Sequence, residues 1–169
     1  MALIKSISGI RGTIGGVPDE NLTPIDAVKF AAAYGFWLKN HVHKTRIKVV
    51  VGRDARLSGE MVQNLVQYTL IGLGIDVVDL GLSTTPTVEV AVTMEQADGG
   101  IILTASHNPK QWNALKLLNN QGEFLNAQEG EEILRIAADN SAVFAEVDAL
   151  GTLSHNDTYI QGVLLSLSS

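Results

Sequence analysis

A serine, a histidine and an asparagine stand together at residues 106–108, between two apolar segments. Pro109 closes this polar stretch, which reads T-A-S-H-N-P. A serine hydroxyl at the end of a strand is a candidate nucleophile. The elbow of Ser-His hydrolases needs glycine two residues before and after the serine, where this chain has Thr104 and Asn108. The pattern therefore disfavours a hydrolase. It leaves either a tight turn, in which Ser106 and Asn108 satisfy backbone groups, or a loop that faces a ligand.

A lysine follows in the second apolar segment. Lys116 interrupts a run that has leucine at positions 115, 117 and 118. If this run is a strand that returns beside Ser106, the ammonium group would neutralise a phosphate or exchange protons with a reacting group. An exposed lysine on a strand edge is the alternative interpretation.

Arginines lie in two further loops. The segment G-R-D-A-R-L-S-G-E at 52–60 contains Arg53, Asp54 and Arg56 ahead of a helix start. Its two arginines would suit phosphate recognition, and a solvated charged turn is the simpler alternative. Near the N-terminus, two glycines bracket Arg11 in S-G-I-R-G, which predicts a flexible backbone that presents one guanidinium group.

The elements that must position these residues alternate along the chain. Short apolar, β-branched segments predict strands at 46–51, 75–81, 99–105 and 113–119. Capping residues and apolar periodicity predict helices from Pro24 to about Asn40, from Ser58 to about Gly72, from Pro86 to about Glu95, and over 126–139. The alternation predicts an α/β fold, a three-layer α/β/α sandwich with a mostly parallel mixed sheet.

Ligands in such folds bind beyond the carboxyl ends of the strands. That rule predicts one functional edge formed by the loops at 52–58, 81–86 and 104–113. Within the second helix, we expect a core-facing stripe that neighbouring apolar residues widen. The expected stripe is Met61, Leu65 and Tyr68, and the residues that widen it are Val62, Val66 and Leu70.

The C-terminal segment repeats the polar triplet as Ser154-His155-Asn156. No apolar strand pattern precedes this second triplet and no proline closes it, so we expect an ordinary helix start capped by Asn156 or Asp157. The helix expected over 154–169 has an apolar face, which suggests that the chain continues into a further unit. A helix docked on its own domain is the alternative.

The bulk composition excludes several classes. The chain has 169 residues with a formal net charge of -6, so no global basic field exists for nucleic acid. It has no cysteine, which excludes disulfides and thiolate metal sites. Neither a signal peptide nor a membrane-spanning run is apparent, and we expect a cytoplasmic protein with no membrane or nucleic-acid partner.

Three motifs together resemble the first domain of the α-D-phosphohexomutases, the family of phosphoglucomutase, phosphomannomutase and phosphoglucosamine mutase. The motifs are SGIRG at 8–12, GRDARLSG at 52–59 and TASHNP at 104–109, with Lys116 behind. The resemblance implies that Ser106 is a phosphoserine. It would give its phosphoryl group to a hexose 1- or 6-phosphate, and the resulting bisphosphate would turn around and return its other phosphate to the serine.

Further roles follow from the resemblance. Lys116 is implied as the acid–base or phosphate-facing lysine, and Arg11 as the arginine that faces the reacting phosphate. His107 and Asn108 are similar to the family's loop partners of the phosphoserine. Arg53 and Asp54 match the family's second loop, which implies substrate or phosphate binding.

The family's metal is usually Mg²⁺, held by the phosphoserine and by an aspartate-rich loop of the second domain. The sequence has no such loop, so the one ligand implied here is Ser106, through its own oxygen or its phosphate. Residues 1–150 would be the phosphoserine domain, and 151–169 a linker helix toward a second domain.

The resemblance implies a phosphosugar substrate and the remaining domains as partners. Whether the sugar is glucose, mannose or glucosamine stays open, and residues 1–169 alone are expected to turn over little or nothing. The alternative is a non-catalytic phosphate-binding or anion-binding α/β module. The retained Ser106 and Lys116 argue against it, because binding alone needs no nucleophile.

Overall fold

The computed structural model describes residues 3–159, and within that range the chain forms seven strands and four α-helices. The strands are β1 (Leu3–Ser6), β2 (Gly9–Thr13), β3 (Ile47–Arg53), β4 (Ile75–Leu82), β5 (Gly99–Leu103), β6 (Trp112–Leu118) and β7 (Leu153–His155). The helices are α1 (Pro24–His41), α2 (Gly59–Gly72), α3 (Thr85–Met94) and α4 (Ala127–Asp139), and a short 3₁₀ turn covers Val147–Ala149.

All seven strands join one sheet in the order β1-β2-β6-β5-β3-β4-β7. Strands β5, β3, β4 and β7 pair in parallel, whereas β1, β2, β6 and β5 pair antiparallel. The expected α/β fold with a mixed sheet is confirmed. Five of the seven described strands run in the same direction, and the other two are β1 and β6.

The helices cover the sheet from both faces. Alternate residues of the strands point to opposite faces, so Val49 and Val51 join the core under α1, α2 and α4, while Val50 joins a second core under α3. Gly52 marks the closest approach of α3, because a Cβ there would lie 2.6 Å from Val88 Cγ2. The three-layer arrangement follows from these two cores.

The helix starts of α1 and α4 show capping hydrogen bonds, whereas the expected cap Ser58 makes no side-chain cap bond at the start of α2. The carboxylate of Asp26 accepts a hydrogen bond from the backbone N–H of Thr23, 3.0 Å away, at the start of α1. At the start of α4, Asn126 and Glu129 form the reciprocal pair of a capping box, at 2.8 and 3.0 Å. These local bonds explain why the beginnings of the helices were predictable to within one or two residues.

The expected core stripe of α2 is wrong for two of its three residues, whereas Leu65 packs partly buried against the core. Met61 is 40% exposed and Tyr68 is 60% exposed, whereas Val62, Val66 and Leu70 are buried. The physical reason is that two glutamines share the buried face. The buried amide of Gln63 donates to Gln67 and to Asp79, so polar side chains share the buried face with Val62, Val66 and Leu70.

The glycine-rich segment near the N-terminus is a strand rather than a flexible turn. Residues Gly9–Thr13 form β2 and pair with β6, with Gly9 opposite Lys116. A Cβ on Gly9 would lie 2.0 Å from the carbonyl oxygen of Leu115. Glycine is therefore needed here for the close approach of two strands. Sequence reasoning missed this element because a short strand rich in glycine has the composition of a loop.

The expectation for residues 154–169 also needs correction. Leu153–His155 form β7, which pairs in parallel with β4 along Val77–Asp79. The second Ser-His-Asn triplet thus begins on an edge strand, and the sheet continues past residue 150. A helix does begin directly after the triplet: Thr158 and Tyr159 are helical, and Asn156 Oδ1 accepts from the N–H of Thr158 at 3.1 Å, as expected of a capping residue. Most of the expected helix lies outside the described residues.

A buried tyrosine fixes the two strands that flank the polar loop. Tyr34 of α1 donates to the carbonyl oxygen of Leu118 at 2.6 Å, and its hydroxyl accepts from the N–H of Gly100 at 3.0 Å. Burial raises the pKa of Tyr34. Gly99 leaves room for the hydroxyl, because a Cβ there would lie 2.1 Å from it. Tyr34 therefore ties β5 to β6 at the end of the strands opposite the polar loop.

Candidate active site

Ser106 lies in a tight turn that follows β5. The N–H of Asn108 donates to the carbonyl oxygen of Ala105 at 3.0 Å, which closes the turn. Ser106 has φ +52°, in the left-handed region that residues other than glycine rarely occupy. Such a conformation costs about 1–3 kcal/mol and persists where the surroundings enforce it, often at functional sites. The side chains of Ser106 and His107 are exposed, while Thr104 and Ala105 before them are buried.

Lys116 reaches this serine from the neighbouring strand. Its Nζ donates to Ser106 Oγ at 3.1 Å. Lys116 pairs with Ile102 across β5 and β6, and paired residues point to the same face of the sheet. Since Ile102 belongs to the core under α3, Lys116 lies on the α3 face. The antiparallel return of β6 therefore brings a cation to the serine.

Arg11 shares a cavity with this lysine. Arg11 pairs with Ala114 of β6, two residues from Lys116, so both cations lie on the same face. They line a cavity of about 240 Å³ together with Gly9 and Ser6. Within residues 3–159 the exposed guanidinium of Arg11 makes no hydrogen bond or ion pair. The cavity is thus a cationic surface beside Ser106, with one arginine available to an anion.

A second arginine holds the serine loop from behind. Arg56 Nη2 donates to the carbonyl oxygens of Ser106 and Asn108, at 2.8 Å each. Its Nη1 donates to the carbonyl oxygens of Pro109 at 2.7 Å and Trp112 at 3.1 Å. Charge-assisted bonds of this kind are worth about 1.5–3 kcal/mol each when formed, which is enough to enforce the left-handed conformation of Ser106.

Asp54 and Thr104 complete the support. Asp54 accepts from Thr104 Oγ1 at 2.6 Å and from the N–H of Arg56 at 3.2 Å. Thr104 Oγ1 in turn accepts from the N–H of Ser106 at 3.1 Å. The carboxylate therefore connects the loop after β3 to the loop after β5. Asp54 orders the backbone of the site, and its oxygens are occupied by protein donors.

Arg53 does not join Ser106. It pairs with Leu103 of β5 and shares the face of Val49 and Val51, opposite Lys116. Its Nε donates to Gln63 Oε1 at 2.7 Å on α2. Arg53 was expected near the serine. Because side chains alternate along a strand, Arg53 instead lies on the sheet face that packs under α1, α2 and α4.

The supporting residues that sequence reasoning missed are Arg56, as a loop anchor, and Thr104. The sequence carried one signal for each. Arg56 precedes the N-cap Ser58, at the edge where strand ends meet, and Thr104 is the first polar residue after β5. Buried Asn113 is a third such residue, and its Nδ2 donates to Ser58 Oγ at 2.8 Å. Nothing in the spacing indicated which arginine would turn toward the loop.

Metal ligands are not gathered in this part of the chain. Residues 3–159 contain no group of three or more His, Asp or Glu side chains that could hold a metal ion. Ser106 Oγ is the one oxygen that the sequence implied as a ligand, and hard oxygen donors of this kind suit Mg²⁺. In the same range, no helix is both long and apolar enough to cross a membrane.

Fold and site together define an α/β/α domain that presents a serine, with a lysine beside it, at the carboxyl edge of its sheet. Residues 4–143 match the family described as phosphoglucomutase/phosphomannomutase, alpha/beta/alpha domain I. The chain belongs to this family, and it carries the family's first domain.

Individual relatives agree with the family assignment. A phosphoglucomutase/phosphomannomutase of Thermococcus kodakarensis is 43% identical over 113 residues, covering 66% of this chain and 25% of its own length. A phosphoglucosamine mutase of Ligilactobacillus salivarius is 36% identical over 157 residues, covering 90% of this chain and 34% of its own. The crystal structure of a phosphoglucomutase/phosphomannomutase family protein from Burkholderia thailandensis superposes with a TM-score of 0.77 at 25% identity, over 95% of this chain and 34% of that one.

The chain spans about a quarter to a third of the length of the curated relatives it matches. Those relatives are named as mutases that act on different phosphosugars, and enzymes of the family are generally metal-dependent.

Proposed function

We propose that this chain is the phosphoserine domain of a phosphohexomutase, which interconverts hexose 1-phosphates and hexose 6-phosphates. One observation carries the proposal: Lys116 Nζ donates to the hydroxyl of Ser106 at 3.1 Å in a chain of this family. A module that only binds anions would need the cations of the cavity, but it would not need a hydroxyl held in a left-handed turn.

The proposed chemistry uses Ser106 Oγ as the phosphoryl carrier. In the first transfer the bond between phosphorus and Oγ breaks, and a bond forms between phosphorus and a free hydroxyl of the sugar monophosphate. The leaving Oγ takes a proton from Lys116, and the proton of the attacking sugar hydroxyl passes to bulk water. In the second transfer Oγ attacks the other phosphate and gives its proton back to Lys116. The bond between that phosphorus and the sugar oxygen breaks, and the freed sugar oxygen takes a proton from bulk water. Positioning and charge neutralisation dominate such transfers.

Electrostatic stabilisation is the proposed role of the cavity. The guanidinium of Arg11 and the ammonium of Lys116 lie on one face of the sheet and line one cavity. Cations that line one cavity can stabilise the charge of a phosphoryl group during the transfer. We assign His107 and Asn108 to the same proposal as contacts of the phosphoserine and its substrate, because they flank Ser106 in the turn.

Mg²⁺ is the proposed cofactor of the complete enzyme. Within the described range only Ser106 is proposed as a ligand, so the remaining ligands would come from other parts of the protein. Bound Mg²⁺ would neutralise phosphate charge. Contacts with further domains and a cytoplasmic location belong to the same proposal. The predicted division into a domain at 1–150 and a linker at 151–169 is also part of it, with β7 of the second segment paired to the sheet of the first. Residues 1–169 alone are expected to turn over little or nothing.

Phosphorus NMR of the complete gene product tests the function. Glucose, mannose and glucosamine 1-phosphates are supplied in turn, with Mg²⁺ and a small amount of the matching hexose 1,6-bisphosphate. The proposal expects conversion of at least one of them to its 6-phosphate. Binding of the bisphosphate without conversion of any sugar would instead support the anion-binding module.

A further inference from the structure

We propose that Arg56 is a positioning residue that fixes the backbone of Ser106 for phosphoryl transfer without touching the substrate. The inference rests on the proposed function and adds to it a residue outside the reacting groups. Arg56 lies in the loop after β3, and its guanidinium contacts only the protein.

The hydrogen bonds of Arg56 leave it no capacity for a ligand. Each of its two terminal nitrogens donates to two carbonyl oxygens. Three of the four acceptors belong to the loop between β5 and β6, and the fourth is Trp112, the first residue of β6. Its Nε lies 3.4 Å from a carboxylate oxygen of Asp54. The side chain is 13% exposed. Arg56 therefore acts on the loop, while the cavity cations Arg11 and Lys116 remain for the phosphosugar.

The bonds fix Ser106 from both sides. Arg56 holds the carbonyl oxygen of Ser106, and Thr104 Oγ1 holds its N–H. Asp54 links these two partners, because it accepts from both Thr104 and Arg56. With both peptide groups fixed, the Cα–Cβ bond of Ser106 has one direction. From that position Oγ accepts the hydrogen bond of Lys116 at 3.1 Å.

Arginine is required for this task on geometric grounds. The planar guanidinium presents a rigid fork, so two nitrogens can each join two carbonyl oxygens. The ammonium group of lysine has three donors on one flexible stem and cannot reproduce four contacts. Replacement by lysine should keep the charge and lose the loop geometry, which separates positioning from electrostatics.

The test compares Arg56→Lys and Arg56→Ala with Arg46→Lys in the complete gene product. Arg46 is the matched control, because it makes a two-pronged contact with Asp76 and lies just before β3, at the opposite end of that strand. For each variant we would measure kcat, KM, Tm and rescue of Arg56→Ala by guanidinium ions at non-denaturing concentration. Hydrogen exchange of the amides at 105–112 reports the rigidity of the loop.

Both Arg56 variants are expected to lose kcat by about 10²-fold, the size of effect that misplacement of a reacting group produces. Their KM should stay within about threefold, guanidinium should restore part of the kcat of Arg56→Ala, and exchange at 105–112 should accelerate. Arg46→Lys should match the wild type in kcat.

Three results would overturn the inference. They are wild-type kcat in Arg56→Lys, a loss confined to KM, or unchanged exchange at 105–112 in a folded Arg56 variant. If Arg56→Ala fails to fold, Arg56→Lys decides. If the wild type interconverts no hexose phosphate, the proposed function fails on that result, and the inference fails with it, because no transfer then exists for Arg56 to support.

Discussion

The chain contains the triplet Ser-His-Asn twice, and the two copies are similarly exposed but differ in backbone conformation and in the partners of their side chains. Ser106 lies in a left-handed turn, and its Oγ is met by Lys116. Ser154 lies on edge strand β7, and its Oγ donates to the carbonyl oxygen of Val77 at 3.4 Å. The first serine contacts a lysine that lines the cationic cavity, and the second bonds to the sheet's own backbone.

The histidine and the asparagine of the second triplet also contact neighbouring side chains of the domain. His155 Nδ1 lies 3.3 Å from a carboxylate oxygen of Asp79, and Asn156 Nδ2 donates to Glu95 at 2.7 Å. Asn156 Oδ1 accepts from Thr158. The same three residue types therefore suit phosphoryl transfer only in the first loop, where a strained turn, a nearby cation and an anchoring arginine surround the serine.

Substitution of each serine in turn should give the largest difference in mutase activity between the two triplets. In the complete gene product, Ser106→Ala should lower mutase kcat by at least about 10³-fold, because it removes the phosphoryl carrier. Ser154→Ala should leave kcat unchanged. Coupled assays with the sugar found by phosphorus NMR measure both. Comparable losses from the two variants would show that the surroundings do not separate the triplets.

Removing the cation beside the first serine should have the next largest effect. Lys116→Met is expected to lower kcat by about 10²–10³-fold, the usual cost of losing one group that stabilises transition-state charge. Lys48→Met is the control, since Lys48 is also a strand lysine and donates to the backbone of Glu95 at the other end of the sheet. If Lys116→Met kept normal turnover, the contact with Ser106 Oγ would have no part in the chemistry.

Two threonines that accompany the triplets provide a smaller test. Thr104→Val removes the acceptor of the Ser106 N–H and should cost about 1–3 kcal/mol of unfolding free energy, because buried polar groups lose their partners. Thr158→Val removes an exposed bond to Asn156 and should change stability by less than about 0.5 kcal/mol. Urea unfolding measures both. If the two variants had the same free energy of unfolding, the bond between Thr104 and the Ser106 N–H would contribute no more than an exposed bond.

The smallest expected effect is a pH dependence of stability near β7, the strand that carries the second triplet. Partial burial opposes ionisation of Asp76, but hydrogen bonds from Arg46 and Thr152 outweigh it and lower its pKa. A carboxylate whose pKa is lowered by folding stabilises the native state above its unfolded pKa, and this contribution disappears as pH falls through the folded pKa.

Asp76→Asn should therefore be less stable than the wild type at pH 7, by at most about 1 kcal/mol, since the pair is partly exposed. The difference should shrink at pH 3. Hydrogen exchange should locate the acid effect near Thr152, leaving the first loop unchanged. If Asp76→Asn lowered the free energy of unfolding by the same amount at both pH values, ionised Asp76 would not be the group that stabilises the β7 region.

The sequence alone predicted the elements that local chemistry determines. Pro24 after a threonine, and asparagine ahead of Glu129, set helix starts through bonds within one turn. The strand after Gly99 and the returning segment with Lys116 were predictable from apolar runs. Their meeting at Ser106 follows from the antiparallel pairing of β5 and β6, which the sequence allowed without specifying.

Properties set by distant partners were not predictable. The strand at Gly9–Thr13 exists because β6 lies against it, and the need for glycine comes from the carbonyl oxygen of Leu115. Arg53 and Arg56 are both arginines, three positions apart in the same segment. One points toward α2 and the other toward the serine loop, because strand alternation ends between them. No local pattern specifies which face of a sheet a ligand will meet.

The central claim is that Ser106 carries the phosphoryl group, and its most direct test is to find that group. The complete gene product is incubated with hexose 1,6-bisphosphate labelled with ³²P and digested, and the labelled peptides are sequenced by mass spectrometry. The account predicts label on Ser106 and none on Ser154, with loss of the label on addition of unlabelled hexose monophosphate. Turnover of the sugar phosphate with Ser106 unlabelled, or label at another residue, would contradict it.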